Sequence, residues 1–272
     1  MSYPDIEFKA CPASHDGTAS LKGVDAAVGR TNLSSAIPPD DQYESRHRWD
    51  PTAEWTPQEE KALVRKTDLL LMTWLCVMFF GLQLDRGNLA NALADDFLDD
   101  LGLTTDDYNN GYTIQLVAFL SAEFPVQLLT KRYGFRQVLP AMMVAWSTVS
   151  WAQAWMTDRA SFYITRALIG ACEGGFIPGA ILYATYFYTS RELSVRLAVF
   201  WSTLNVCRII SAVLAAGLLQ MRGVGGKPGW FWLFLLEGLL TFVLGVIVSA
   251  FFLSFFLLDQ LDVDGKGVTN LA

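Results

Sequence analysis

The chain has 272 residues, of which 52% are hydrophobic and 17% charged, with a formal net charge of −7 and a mean hydropathy of +0.30. Ordinary soluble domains carry roughly 45–50% apolar and about 25% charged residues, so this balance points to a membrane protein. The acidic excess concentrates in the N-terminal tail, one loop and the C-terminal end; it is not a uniform field, and nucleic-acid binding is not supported.

Cys11, Cys76, Cys172 and Cys207 share no close spacing, and three of them fall inside apolar runs, which fits neither a disulfide framework nor a zinc site. The two histidines, His15 and His47, both lie in the polar tail, which removes a membrane enzyme built on clustered histidine ligands. No nucleophile or redox pair is visible, so the expectation is a protein that is not an enzyme and holds no metal or cofactor.

In chain order, residues 1–55 carry scattered Pro, Ser, Gly and Asp without a sustained apolar period. Such a segment has too little surface to bury against its ordering entropy and reads as a disordered tail. Thr56-Pro57-Gln58-Glu59 places a threonine N-cap, a proline at the first helical position and a glutamate at the third, a capping box that predicts a short amphipathic lead-in helix over 56–67.

Six apolar runs follow within 68–258: 69–88, 108–129, 138–155, 162–187, 197–219 and 230–258. Each is near the ~20 residues needed to cross a ~30 Å hydrocarbon core. Lipid cannot satisfy backbone hydrogen bonds, so the runs should be helices, and the fold class is an all-α membrane protein with a six-transmembrane-helix bundle. Residues 259–272 read as a short polar tail. Lys61, Arg65 and Lys66 before the first run, Lys131, Arg132 and Arg136 in the second loop, and Arg191 and Arg196 in the fourth make up the basic side. By the positive-inside rule that side faces the cytosol, with both termini there. The first loop, with Asp95, Asp96, Asp99, Asp100, Asp106 and Asp107 and no Lys or Arg, faces out. Trp151, Trp155, Trp230 and Trp232 are expected in the outer interfacial belt.

Charges inside the runs are what a simple anchor would lack: Asp85, Arg86, Glu123, Arg166, Glu173, Arg208 and Glu237. Each costs at least ~2.5–3.5 kcal/mol at mid-membrane unless it faces a partner or cavity. Depth counted at about 1.5 Å per residue puts Glu173 and Arg208 near the midplane. It puts Asp85, Arg86, Arg166 and Glu237 in the outer third, and Glu123 in the inner third. Arg166 and Glu173, nearly two turns apart, share one helix face. Internal ion pairs that merely fix packing explain Glu123, Arg166 and Glu237 equally well, and Arg166 could snorkel. A midplane pair of Glu173 and Arg208 fits a solute site, where transporters place their substrate. Gly170, Gly174, Gly175 and Gly179 permit close helix approach, and Pro178 predicts a bend.

Taken together, Trp55-Thr56-Pro57-Gln58-Glu59-Glu60, Leu84-Asp85-Arg86-Gly87-Asn88, Glu123-Phe124-Pro125, Lys131-Arg132-Tyr133-Gly134-Phe135-Arg136, Arg166-Ala167-Leu168-Ile169-Gly170, Glu173-Gly174-Gly175 and Gly229-Trp230-Phe231-Trp232 with Glu237-Gly238 resemble one family. It is the anion:cation symporter branch of the major facilitator superfamily, in particular the fungal allantoate permeases. The resemblance implies the N-terminal half of a major facilitator fold and a proton-coupled symporter of a small organic anion in the plasma membrane. Asp85, Arg86, Asn88, Arg166 and Glu173, with Arg208 added from its depth alone, are then the substrate-binding or coupling candidates. Glu123, Lys131, Arg132 and Arg136 are the gating candidates.

The partners implied are the organic anion, protons and the lipid bilayer, with no nucleic acid. Past Leu258 the family continues into a second half, whereas Asp259 to Ala272 is a short polar end. The chain thus reads as truncated and inactive alone, as an alternative product, or as a half that pairs with a second half or with a copy of itself; truncation is the preferred reading. A metabolite exporter and a non-transporting membrane assembly partner are the competing functions. The Gly-Pro-x-x-Gly-Gly signature of drug antiporters is absent around Ser211 to Gly217, which argues against export.

Overall fold

The computed structural model describes residues 31–32, 52 and 54–264, the side chains of 31–32, 190–191 and 253–264 excepted. Most of the expected tail over 1–55, and residues 265–272 of the expected C-terminal tail, lie outside the described residues. Two units are distinguished, Met1–Arg65 and Lys66–Ala272. In the first, β1 (Thr31–Asn32) pairs antiparallel with β2 (Glu54–Trp55), Thr31 opposite Trp55. Helix α1 (Pro57–Thr67) starts on reciprocal bonds: the Glu59 N–H donates to Thr56 Oγ1 at 3.2 Å and the Thr56 N–H donates to Glu59 Oε2 at 2.7 Å.

The second unit is a helical bundle. A five-residue π-turn (Asp68–Met72) leads into α2 (Thr73–Ala92). The acidic turn after it holds α3 (Phe97–Asp100), followed by α4 (Thr105–Tyr133), α5 (Phe135–Ala152), α6 (Arg159–Glu173), α7 (Phe176–Thr185), α8 (Ser190–Leu218) and α9 (Gly229–Asp264). Helix α9 continues past the expected end at Leu258. Starts are capped in the polar turns: Thr104 and Asp107 exchange bonds at α4, as do Asp158 and Ser161 at α6. The Ser161 N–H holds the Asp158 carboxyl below the usual carboxylate range.

Among the described residues five helical segments are long and apolar enough to cross a membrane: Pro57–Asp95, Thr105–Tyr133, Arg159–Thr185, Glu192–Met221 and Gly229–Phe252. The third expected run is the exception. It forms the 18-residue α5, but Arg136 and Gln137 occupy its first turn and Ser147, Thr148 and Ser150 its last two. It packs on α9 and α6 and leaves a stripe of Ala141, Ala145, Thr148 and Ala152 exposed. The principal further contacts join α4 to α6 and α2 to both α8 and α9.

The fourth expected run is one segment with a break, and the break is not at Pro178. Helix α6 ends at Glu173, Gly174 is extended (φ −60°, ψ 126°), and Gly175 takes φ 87° before α7 begins. Pro178 is the third residue of α7, where a missing N–H costs nothing. Only glycine adopts the Gly175 conformation without strain. Gly174 is needed for a different reason: a Cβ there would lie 2.6 Å from the Phe119 carbonyl of α4.

Buried apolar residues form two clusters. One joins Leu71 and Met72 of the π-turn and Leu75 to Leu82 of α2 with Val138 to Trp146 of α5, Phe176 and Ala180 of α7, Phe200 of α8 and Val248 and Phe252 of α9. The other joins Leu89, Ala92, Phe97, Ala154, Phe162, Ala215 and Trp230 to Phe234. Between them in each helix lies the polar stretch, Asp85 to Asn88, Ser147 to Gln153, Arg166 to Glu173 and Glu237 to Thr241, all containing buried polar side chains.

In the acidic turn Asp95 and Asp107 are buried and the other four aspartates exposed. Arg222 gathers Asp95 (Nε–Oδ1 2.8 Å), Asp96 (3.3 Å) and Asp100 (3.0 Å). Trp230, expected in the interfacial belt, is 5% exposed and donates to Asp100 Oδ2 at 3.0 Å. Trp155, by contrast, is 53% exposed.

Packing at Gly238 is tight enough to test. A Cβ there would lie 2.6 Å from the Trp151 backbone, whereas one at Gly217 meets nothing within 4 Å. Gly238→Ala should therefore destabilise the bundle by about 1–3 kcal/mol through overpacking. Gly217→Ala should be neutral or raise stability by up to about 1 kcal/mol through helix propensity. Thermal unfolding of both variants in detergent micelles checks the contrast.

Candidate functional site

Helix α2 presents charge in two directions. On one side Arg86 meets Glu173 at the end of α6, with Nε–Oε2 at 2.7 Å. Glu173 is fully buried, while the Arg86 side chain keeps 30% of its exposure and its guanidinium lies 5.1 Å from the Phe119 ring of α4. Arg166 sits on the same face of α6, 1% exposed, its guanidinium 5.7 Å from the Phe162 ring. Its Nε and Nη2 have no hydrogen-bond partner among the described residues. Glu173 Oε1 is likewise unpartnered.

On the other side of α2, Asp85 Oδ1 accepts from Ser150 Oγ of α5 at 2.8 Å and from Thr241 Oγ1 of α9 at 3.2 Å. One turn further along, Asn88 is fully buried against Glu237 of α9. The orientation of its amide follows from the hydrogen-bond network: Nδ2 donates to Glu237 Oε2 and to the Leu84 carbonyl at 3.1 Å. Asn91 Nδ2 donates to Ser211 Oγ of α8 at 2.8 Å, so α2 is held by polar contacts on three sides.

Of the candidates read from sequence, Arg86, Arg166 and Glu173 are thus brought together, and Asp85 and Asn88 turn toward α5 and α9. Arg208 is not joined to them. It lies on the exposed face of α8, and the partner of Glu173 is Arg86 instead. Depth along a helix predicts which layer a residue occupies but not which neighbour it faces. Glu123 is half-buried on α4, about two turns from Lys131. Lys131 and Arg132 are exposed in the last turn of α4, and Arg136 is half-buried in the first turn of α5, across Gly134.

Several site residues carried no sequence signal. Ser150 and Thr241 are ordinary in apolar helices, where a hydroxyl bonds its own backbone; only the packing of α5 and α9 on α2 reveals that they serve Asp85. Gln127 of α4 donates to the Gly175 carbonyl at the helix break, at 2.9 Å. At the basic end Arg196 grips Asp68 with two bonds, 2.5 and 2.8 Å, while stacked 4.4 Å from the Tyr188 ring. That pair closes one end of a cleft of about 760 Å³ between α2 and α8, lined by Met72, Cys76, Phe80 and Thr203 and lying off the charged layer.

The bundle and its charged interior define a polytopic α-helical membrane protein. Residues 75–263 match the profile of the Major Facilitator Superfamily, and the chain belongs to that superfamily. It is 45% identical over 204 residues to an uncharacterized transporter, YIL166C, of Saccharomyces cerevisiae, covering 75% of this chain and 38% of that protein. It is 34% identical over 194 residues to the major facilitator-type transporter hxnP of Emericella nidulans, covering 70% and 39%. It is 31% identical over 201 residues to an Agrobacterium vitis protein with the provisional name tartrate transporter, covering 74% and 43%. The chain therefore spans about two fifths of the length of these relatives, which are named as transporters and not as enzymes.

The Arg86–Glu173 pair is open to a double-mutant cycle. Arg86→Leu leaves a fully buried carboxylate without its partner and should cost about 3 kcal/mol; Glu173→Gln, which frees the more exposed Arg86, should cost less. The double variant should recover about 1–3 kcal/mol relative to the sum of the two. Additive losses in thermal or denaturant unfolding would show the contact to be unimportant to the fold.

Proposed function

We propose that the chain is one six-helix half of a proton-coupled secondary transporter for a small organic anion, of the allantoate permease branch. The observation that supports this most is Arg166, a guanidinium 1% exposed with two unpartnered nitrogens beside the Arg86–Glu173 pair. A buried cation with free donors is matched by a carboxylate, which guanidinium binds in a planar two-bond fork. The provisional tartrate name of the Agrobacterium vitis relative agrees with that ligand class.

In this reading the anion takes the free donors of Arg166 and competes with Glu173 for Arg86. Glu173, once released, takes a proton, and the buried layer avoids gaining a full negative charge; that links anion and proton movement. The basic turn of Lys131, Arg132 and Arg136, with Glu123 above it, serves as the cytosolic latch, and both termini lie on that side of the plasma membrane. The wide apolar faces of α4 and α8, with Leu116, Leu120, Phe124, Val199, Val206 and Ile209 exposed, meet a second six-helix unit or a second copy. The substrate then sits between the two units and is released by their rocking.

The test is uptake of labelled mono- and dicarboxylates into vesicles with and without an inward proton gradient. It uses the chain alone and the chain co-expressed with the remaining half of the Saccharomyces cerevisiae relative. Flux should require the gradient, and Arg166→Lys should lower it about tenfold or more, the worth of a charged hydrogen bond. Gradient-independent flux, no flux in either format, or full flux in Arg166→Lys would refute the reading.

A further inference from the structure

The charged layer holds three buried or half-buried acids and two guanidiniums: Asp85, Glu173 and Glu237 against Arg86 and Arg166. Fully ionised, it would carry an uncompensated negative charge between two apolar clusters, a costly arrangement. A bound proton removes that charge, and the geometry says where it sits.

Both guanidiniums lie on the α6 side of α2, where Arg86 meets Glu173. Asp85 Oδ1 lies within hydrogen-bond distance of the Ser150 and Thr241 hydroxyls, the Thr241 one shared with the Glu237 and Gly238 carbonyls, while Oδ2 has no partner among the described residues; hydroxyl donors are the kind of contact that stabilises an ionised carboxylate. Glu237 is 1% exposed, accepts only the Asn88 amide on Oε2, and has no partner for Oε1 among the described residues. The groups that the structure places near it are Asp85 and Asn88 of α2, Cys207 of α8 and Thr241 of its own helix. None of these is a cation.

We propose that Glu237 is a proton-binding site in which the carboxylic acid carries its hydrogen on Oε1, while Oε2 accepts from Asn88 and ties α9 to α2. The site is separate from the Arg86–Arg166–Glu173 cluster and lies behind the helix that carries Arg86. Asn88 is three residues from Asp85 and two from Arg86, so loss of the proton would place a second carboxylate beside Asp85 and push α9 from α2. Proton occupancy at Glu237 would then reset the helix that presents Arg86. This last step rests on the transporter reading; the proton site does not.

Infrared spectroscopy of the protein in lipid at neutral pH reads the site without any transport. The carbonyl stretch of a buried protonated carboxyl should appear above the amide I band and shift in D2O. It should vanish in Glu237→Gln, which keeps the size and the Asn88 contact, and persist in Asp85→Asn. If Glu237→Gln proves too unstable to measure, Asn88→Ala should move the same band to higher frequency, since the carbonyl loses its donor. A band that survives Glu237→Gln, one lost in Asp85→Asn instead, one unmoved by Asn88→Ala, or no band at all in the parent protein would overturn the assignment. Those results would leave the organic-anion reading standing, because the infrared signal and the flux are independent.

Discussion

Everything in the bundle is arranged around the cost of keeping charge away from hydrocarbon, and the Arg86–Glu173 ion pair is where that cost is met most directly. Its 2.7 Å contact joins α2 to the end of α6, and the apolar clusters on either side of the charged layer seal it. In hydrocarbon an unpaired buried charge is worth several kcal/mol against the fold, while another Leu gains nothing from facing lipid. Polar contacts therefore set the rotation of α2: Arg86 toward α6, Asp85 toward α5 and α9, and Asn91 toward α8. Apolar packing alone would tolerate other rotations of this helix, since its apolar residues run around the whole circumference.

The same constraint explains the form of the break between α6 and α7. Non-helical backbone is stable at membrane depth only where protein satisfies or covers it. Here α4 provides both. Phe119 and Ala122 lie against Gly174 with no room for a Cβ, and Gln127 caps the Gly175 carbonyl. The break falls immediately after Glu173, so the ion pair sits at the end of a helix rather than in the middle of one. A carboxylate at that point can shift by a change in two glycines, without bending a continuous helix.

What was legible in the sequence was what depends on one helix at a time. Apolar length identified the spans, although α5 shows the limit: Arg136, Gln137 and the buried Ser147 and Ser150 lower its hydropathy, and length was a better guide to it. The shared face of Arg166 and Glu173 followed from their spacing, and the helix start at Thr56 and Glu59 from capping chemistry. Relations between helices were not legible. Depth paired Glu173 with Arg208, whereas its partner is Arg86, and only the azimuth of α8 decides against Arg208. Pro178 was a stronger bend signal than two glycines, yet a proline in the first turn of a helix gives up no hydrogen bond. The pairing of Asp95, Asp96 and Asp100 with Arg222 was not legible either, because that base lies more than a hundred residues away in sequence.

The exposed position of Arg208 then carries a consequence of its own. It shares one exposed face of α8 with Trp201, Asn205 and Ala212, seven, three and four residues away. A guanidinium near the bilayer midplane costs at least ~2.5–3.5 kcal/mol when it faces lipid tails, and long side chains escape that cost only near a helix end, by snorkelling. Arg208 is the nineteenth residue of a 29-residue helix, ten residues from its nearer end, roughly 15 Å of helix. That is beyond the reach of an arginine side chain. In the proposed assembly this face of α8 is covered by the second unit, which supplies either an acidic partner or a wet cavity. The charge that one-helix arithmetic assigned to Glu173 is thereby better explained as the contribution of this unit to the space between the two.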